Sequence, residues 1–311
     1  MRPPALPSAI VALVLAVPCP AAPSGDLAPE VRAEVERLQS AAWAHLLELE
    51  RRLLRVHEPI RVQGLDLCGD KRSPVLGVVA ATREEVPESL RDVAARESGV
   101  DDAVRVLHVE PGFPGDAGGL LAGDRVLEVN GRRINRAARL VGRRARTERG
   151  PLRIVAEREG GRLELELPFV EGCFSPAAVM LADVENAWAT QSGVLLVTSG
   201  MLSFAARDDE LAVVLGHEVA HHVLGHVWSR PVYEQDADYL GLYLAARAGY
   251  DISVAPGFWE RFGRTVPFSL DQRVWYSHPG SPERAIALRS AVSEIRAKRE
   301  RGVPLAPEPP T

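Results

Sequence analysis

Two histidines four residues apart, with a glutamate directly after the first, lie in the apolar stretch Leu211–His226, LAVVLGHEVAHHVLGH. On a helix, positions i and i+4 differ by about 40° in azimuth and one turn in height, so His217 and His221 project from one face. Two imidazoles so placed can share a metal ion, and Glu218 between them in azimuth can take a proton from a water at that metal. A catalytic zinc uses three protein ligands and keeps one position for water. One common extension of this HExxH pattern adds a histidine six residues past His221, but Val227 occupies that position and Leu224 stands where its glycine belongs. The other extension puts a glutamate on the next helix, and Glu234 opens the run Glu234-Gln235-Asp236-Ala237-Asp238. His217, His221 and Glu234 are therefore expected to bind zinc, one ion per chain. Asp238, one turn after Glu234, is expected to hold the second ring nitrogen of a ligand histidine. His222 and His226 point away from the ligand face and read as bystanders. Tyr233, Tyr239 and Tyr243 read as core or surface aromatics.

The chain that positions these groups has 311 residues, enough for about two domains. Its 46% hydrophobic and 25% charged content is that of a globular protein, and a net charge of −5 gives no reason to expect nucleic acid as a partner. Residues 1–22 read as a signal peptide: Arg2, the apolar run Ala9–Val17, then Ala21-Ala22. This implies export to a periplasm or the exterior. The alternative at Cys19 is a lipid-modified N-terminus, hence lipid-anchored or peripheral membrane association. In an oxidising compartment Cys68 and Cys173 can pair; otherwise they are two buried thiols.

Residues 28–57 carry apolar side chains at spacings of three and four, from Val31 to Val56, and read as one long amphipathic helix that Pro59 ends. Residues 65–170 change to short alternating runs broken by glycine-rich turns, with Asn130-Gly131 as a hairpin signal and helical character over Asn135–Ala145. Residues 171–298 hold the strand Val194–Val197, the metal-binding helix, a helix through Ala248, a short amphipathic piece around Phe258, Trp259 and Phe262, and a final helix from Ser281-Pro282. The tail, residues 302–311, is Pro-rich and expected to be disordered. The fold class is thus α+β.

The segment Glu110–Ile134, EPGFPGDAGGLLAGDRVLEVNGRRI, together with Leu76-Gly77-Val78, resembles a PDZ domain of the bacterial protease type. The resemblance makes Leu76, Gly77 and Val78 the loop that receives a peptide carboxylate, with the groove between the strand at Val78 and a helix carrying Leu140. Backbone N–H groups around a glycine suit such a capture, and an exposed edge strand can add the peptide as a further strand. A basic run from Arg132 to Arg149 reads as a solvated face, the alternative being a basic rim that favours acidic peptide tails or anionic lipid head groups.

Four separated segments resemble metallopeptidase family 48: Asn186-Ala187-Trp188-Ala189, His217–His221, Glu234–Asp238, and His278-Pro279 followed by Glu283-Arg284. Only twelve residues separate His221 from Glu234, which leaves no room for the intervening membrane segments of that family's integral-membrane members. The resemblance implies a helical, zincin-type catalytic domain with a small β-hairpin and edge strand. Asn186 would lie on the edge strand that aligns substrate, Glu218 would act as base, and His278 and Arg284 would steady the oxyanion and order the site. It also implies an exported zinc endopeptidase acting on protein substrates, with the PDZ domain recruiting or gating them, in part through their C-termini. The alternative is a peptide-binding, chaperone-like protein whose metal is structural.

Overall fold

The computed structural model describes residues 28–137, 150–226, 231–266 and 282–308. The N-terminal segment read as a signal peptide, the stretch carrying Leu140 and most of the arginine run, and His278 lie outside the described residues. Two compact units share the chain. One comprises Met1–Leu54, Pro74–Val170 and Ala178–Ala182; the other comprises Arg55–Ser73, Glu171–Ala177 and Asp183–Thr311. Mixed helix and sheet make up the whole, as the α+β expectation requires.

The helix α1 runs over Pro29–Gln63, past the proline expected to end it. A proline removes one backbone hydrogen bond and crowds the turn before it, but anchors beyond it can keep the chain helical. Those anchors are Ile60, fully buried, and Arg61. Arg61 donates from Nε to the Cys173 carbonyl at 2.8 Å, from Nη1 to the Glu58 carboxylate at 2.8 Å and from Nη2 to Ser73 Oγ at 2.8 Å. The apolar stripe is also shorter than the pattern suggested: Val31, Val35 and Leu38 are exposed, whereas Trp43, Leu46, Leu49 and Leu53 are buried.

In the first unit, β2 (Val78–Ala81), β3 (Val104–Val109), β4 (Arg125–Val129), β6 (Leu152–Arg158) and β7 (Gly161–Leu167) form an antiparallel sheet in that order, and β5 (Arg132–Arg133) also pairs with β4. β2 is its edge. Asn130 and Gly131 make the β4–β5 turn with φ of +49° and +72°. The β6–β7 turn falls on Glu159 and Gly160, because Arg158 pairs with Gly161. Inward residues Leu76, Val104, Val106, Leu120, Val126, Ile154 and Leu167 form the core. Fully buried Asp124 closes one end, taking both Nε and Nη2 of Arg158 at 2.7 and 2.8 Å. The short helix α2 (Arg91–Ser98) had no clear apolar pattern. It is held to α1 by Trp43 Nε1 donating to Ser98 Oγ at 2.9 Å. α3 is the single turn Pro114–Ala117.

The second unit holds β1 (Arg72–Pro74, its proline counted with the first unit) paired with β8 (Glu171–Cys173), and the hairpin of β10 (Ala187–Ala189) and β11 (Leu195–Thr198). The strand β9 spans Ala177–Met180. Helices α4 (Ser199–Phe204), α5 (Asp208–Leu224), α6 (Pro231–Arg247), α7 (Ala255–Thr265) and α8 (Pro282–Glu300) follow. Cys68 and Cys173 are joined as a disulfide, with Cα atoms 5.6 Å apart. Three residues after Cys68, Lys71 donates to the carbonyls of His222 and Val223, the last turn of α5, where a cation suits the negative helix end. The tail expected to be disordered is held through residue 308. Lys298 Nζ donates to the Ala306 carbonyl at 2.9 Å, and the Glu308 N–H to Tyr239 Oη at 3.1 Å. Composition alone misses this, because the partners lie on α6 and α8.

Candidate metal centre

α5 is buried around its whole circumference from Glu210 to His221, so its polar side chains exist only where neighbours satisfy them. His217 and His221 turn their Nε2 atoms toward each other at 3.0 Å. α6 supplies Glu234, whose two carboxylate oxygens stand 3.4 Å from His217 Nε2 and 3.3 Å from His221 Nε2. One ligand atom from each residue can be chosen so that all lie within 4.8 Å of one another, and all three residues are buried. Two imidazole nitrogens and a carboxylate oxygen are a zinc donor set, and the geometry fits one ion.

What brings α6 so near is a pair of glycines. Gly216, just before His217, lies against Gly241, which is three residues after Asp238 on the same helix. α6 then places Asp238 behind His217, with Oδ1 2.9 Å from Nδ1. From the first turn of α8, Arg284 donates to both oxygens of Asp238, Nε at 2.7 Å and Nη2 at 2.9 Å, and stands 3.3 Å from Glu234. Its guanidinium thus bridges these two carboxylates.

Charge follows from these contacts. Burial alone would pull His217 down, but Asp238 and Glu234 outweigh it and push the ring up to about 10. Burial would raise Asp238, yet Arg284 and His217 hold it below the usual carboxylate range. Burial and the neighbouring His217 lower His221. The carboxylates thus favour positive charge between the two rings, which a proton or a metal ion can supply. Ion binding then displaces a proton.

Glu218 accepts a hydrogen bond from the Ala189 N–H, at the end of β10, at 3.0 Å. Asn186 precedes that strand. Its side-chain oxygen accepts from the Ala187 N–H at 3.0 Å, and its backbone is tied to Thr198. β10 has β11 on one side. Two residues read otherwise from sequence belong here. His226, which helical spacing alone turns away from the ligand face, contacts His221 Nδ1 at 3.1 Å. Trp259 lies 5.6 Å from His217, ring to ring, with the Arg284 guanidinium 5.0 Å from its own ring. Nothing local in the sequence marks Trp259, which lies 42 residues from His217.

In the first unit, Leu76 is buried and Gly77 has a φ of +69°. The Leu76 carbonyl accepts from the Gly115 N–H and the Gly77 carbonyl from the Glu110 N–H, each at 2.8 Å. In a trans peptide the N–H opposes the C=O, so the amides of Gly77 and Val78 point away from that segment, as carboxylate capture needs.

The family model described as peptidase family M48 matches residues 166–233, and that described as PDZ domain matches residues 87–148. The first reaches His217–His221 and stops one residue short of Glu234. Among curated proteins, the mitochondrial metalloendopeptidase OMA1 of Arabidopsis thaliana is 29% identical, covering 39% of this chain and 32% of that protein. The protein of the same name from Schizosaccharomyces pombe is 26% identical, covering 37% and 46%. The chain thus spans less than half the length of either. Among solved structures, the HtrA3 PDZ domain bound to a phage-derived ligand is 25% identical, covers 32% of this chain and 88% of its own, and has a TM-score of 0.26. The HtrA-type protease AlgW with a decapeptide is 25% identical, covers 32% and 30%, and has a TM-score of 0.27.

These relatives overturn the expected location. Both curated proteins are named as mitochondrial, so the periplasmic or extracellular assignment, with lipid anchoring through Cys19, is withdrawn. The apolar N-terminal run does not by itself distinguish one targeting route from another. Among the described residues, no helix is long and apolar enough to cross a membrane. The chain carries a peptidase family M48 domain together with a PDZ domain.

Proposed function

We propose that this protein is a zinc-dependent endopeptidase acting on protein substrates, with the metallopeptidase domain over residues 171–298 and a PDZ domain over residues 65–170 that recruits or gates them. The observation that carries the proposal is the convergence of His217, His221 and Glu234 within 4.8 Å, with Glu218 on the same helix. In this reading the three residues hold the ion and Asp238 fixes the His217 ring. A zinc ion so held supplies Lewis acidity and makes a water acidic near neutral pH. Glu218 takes the proton from the attacking water and passes it to the leaving amine. The Ala189 N–H shows how close the β10 edge comes to that carboxylate, and a substrate backbone laid along β10 from Asn186 onward brings a peptide bond to it. Arg284 keeps Asp238 ionised and in place, and His278 is the proposed oxyanion partner. In the PDZ domain, Leu76, Gly77 and Val78 receive the C-terminal carboxylate of a substrate.

The test is cleavage of unfolded casein by the zinc-loaded full chain against Glu218→Gln. General acid–base catalysis is worth roughly 100- to 10,000-fold, so the variant should lose at least that range while still binding zinc. Equal cleavage by both, or none by either with zinc bound, would leave a peptide-binding protein with a structural metal.

A further inference from the structure

The His221–His226 contact follows from how α5 ends. Gly225 takes a left-handed φ of +75°, its N–H bonds to the His222 carbonyl at 3.2 Å, and the His226 N–H bonds to the His221 carbonyl at 3.0 Å. This is the Schellman arrangement, in which the second residue past the helix folds back over the residue five before it. Apolar side chains commonly meet at that point. Here both are histidines, with ring centroids 5.3 Å apart and Nδ1 atoms 3.1 Å apart. On its other face His226 stacks on Tyr233, 4.2 Å between centroids at 13°, which fixes the plane of its ring.

We infer that His226 is a positioning residue for the metal ligand His221, accepting the Nδ1 proton and so holding the tautomer whose Nε2 lone pair faces His217 and Glu234. The inference rests on the metal-site reading proposed above. An imidazole that offers Nε2 to a cation carries its proton on Nδ1 and needs an acceptor there to fix both tautomer and ring angle. For His217 that acceptor is the anionic Asp238. For His221 it is a second imidazole, neutral and with its own proton on Nε2. The two ligand rings are therefore supported unequally. One is fastened from α6 and α8; the other is braced by the local turn that ends its own helix and by Tyr233 behind His226. Gly225, His226 and Tyr233 thus set the pose of one zinc ligand from outside the donor set.

The experiment measures zinc dissociation constants of the full-length chain, by competition with a chromophoric chelator at one pH, for wild type, His226→Asn and His226→Leu. Asparagine places an amide oxygen near the Nδ1 position and can accept; leucine has nearly the same shape and cannot. The leucine variant should bind zinc roughly 10- to 100-fold more weakly than wild type, the range typical for loss of a ligand's outer partner. The asparagine variant should recover most of that loss, and its cobalt-substituted absorption spectrum should match wild type where the leucine variant's does not. Should the leucine variant fail to fold, His226→Phe, which keeps a ring against Tyr233, takes its place. Equal zinc affinity in the accepting and non-accepting variants overturns the inference, whether both match wild type or both are weak, because a packing role does not distinguish them. A wild-type protein that binds no more zinc than His221→Ala overturns the metal site itself, and the inference with it.

Discussion

Gly216 and Gly241 meet so closely at the α5–α6 crossing that a methyl group on Gly216 would lie 2.4 Å from the Gly241 carbonyl oxygen, and one on Gly241 would lie 2.7 Å from the His217 backbone nitrogen. Both obstacles are backbone, so neither can rotate aside. Gly241→Ala must push the helices apart and carry Glu234 and Asp238 away from the histidines. We expect a loss of about 1–3 kcal/mol of stability from overpacking, with a larger proportional loss of zinc affinity. Thermal melting with and without chelator checks both; unchanged zinc binding would mean that the crossing does not set the site.

Asp238→Asn keeps the shape of the side chain and removes its charge. His217 then loses its anionic partner, and zinc affinity should fall roughly 10- to 100-fold. Buried Arg284 loses a counter-charge as well, a loss on the order of 3–5 kcal/mol when one partner of a buried pair is removed. Zinc content at fixed free zinc, read beside denaturant unfolding, separates the two effects.

His57 gives a pH dependence of definite sign. It is buried, with Nε2 3.3 Å from Ser175 Oγ, and burial together with nearby Arg61 lowers it from 6.5 to about 3. Below pH 6.5 the unfolded chain takes up a proton that the folded chain refuses until about pH 3. Stability from this group is therefore full above 6.5 and declines as pH falls toward 3, by up to about 5 kcal/mol at 1.4 kcal/mol per unit. His57→Gln should flatten unfolding free energy measured between pH 7 and 4; an identical slope in the variant would refute the assignment.

Gly77 combines a φ of +69° with a position where a Cβ would fall 2.2 Å from the Phe113 Cβ. Gly77→Ala should destabilise the PDZ unit by about 1–3 kcal/mol and abolish binding of peptides with free C-termini. Titration with a fluorescent peptide checks the second point, and a variant that binds normally would remove the loop from the proposed carboxylate site.

Deleting residues 302–311 removes the Ala306 acceptor of Lys298 and the Glu308 donor to Tyr239. A tail held by such bonds should contribute about 1 kcal/mol, or roughly 2–4 °C in Tm, on deletion. A disordered tail would give no change.

The convergence of His217, His221 and Glu234 was legible because its signal is local: i and i+4 on one helix, then Glu234 and Asp238 one turn apart on the next. What escaped was set by chain ends and distant partners. His226 would point outward on a continuing helix, but Gly225 stops α5 and folds the chain back. That glycine was a readable stop signal. Pro59 follows a local rule that Arg61 overrides through a contact more than a hundred residues away, the Cys173 carbonyl. Trp259 and Lys71 enter the neighbourhood of α5 only through the tertiary fold, and no spacing in the sequence could have marked them.

The pairing of Arg284 with Asp238 also fixes an electrostatic balance. Glu218, Glu234 and Asp238 contribute three formal negative charges, all buried, and Arg284, equally buried, contributes one positive charge. Among the described residues, two negative charges remain once the imidazoles are neutral, as they are when an ion takes the place of the His217 proton. A divalent cation makes this interior neutral; a monovalent ion leaves it negative, and a trivalent one leaves it positive. Since unbalanced charge is expensive away from water, this side-chain count suits a divalent ion in the proposed centre. Replacing Arg284 by a neutral residue, or Asp238 by its amide, therefore shifts which ions the centre selects as well as how firmly it keeps them.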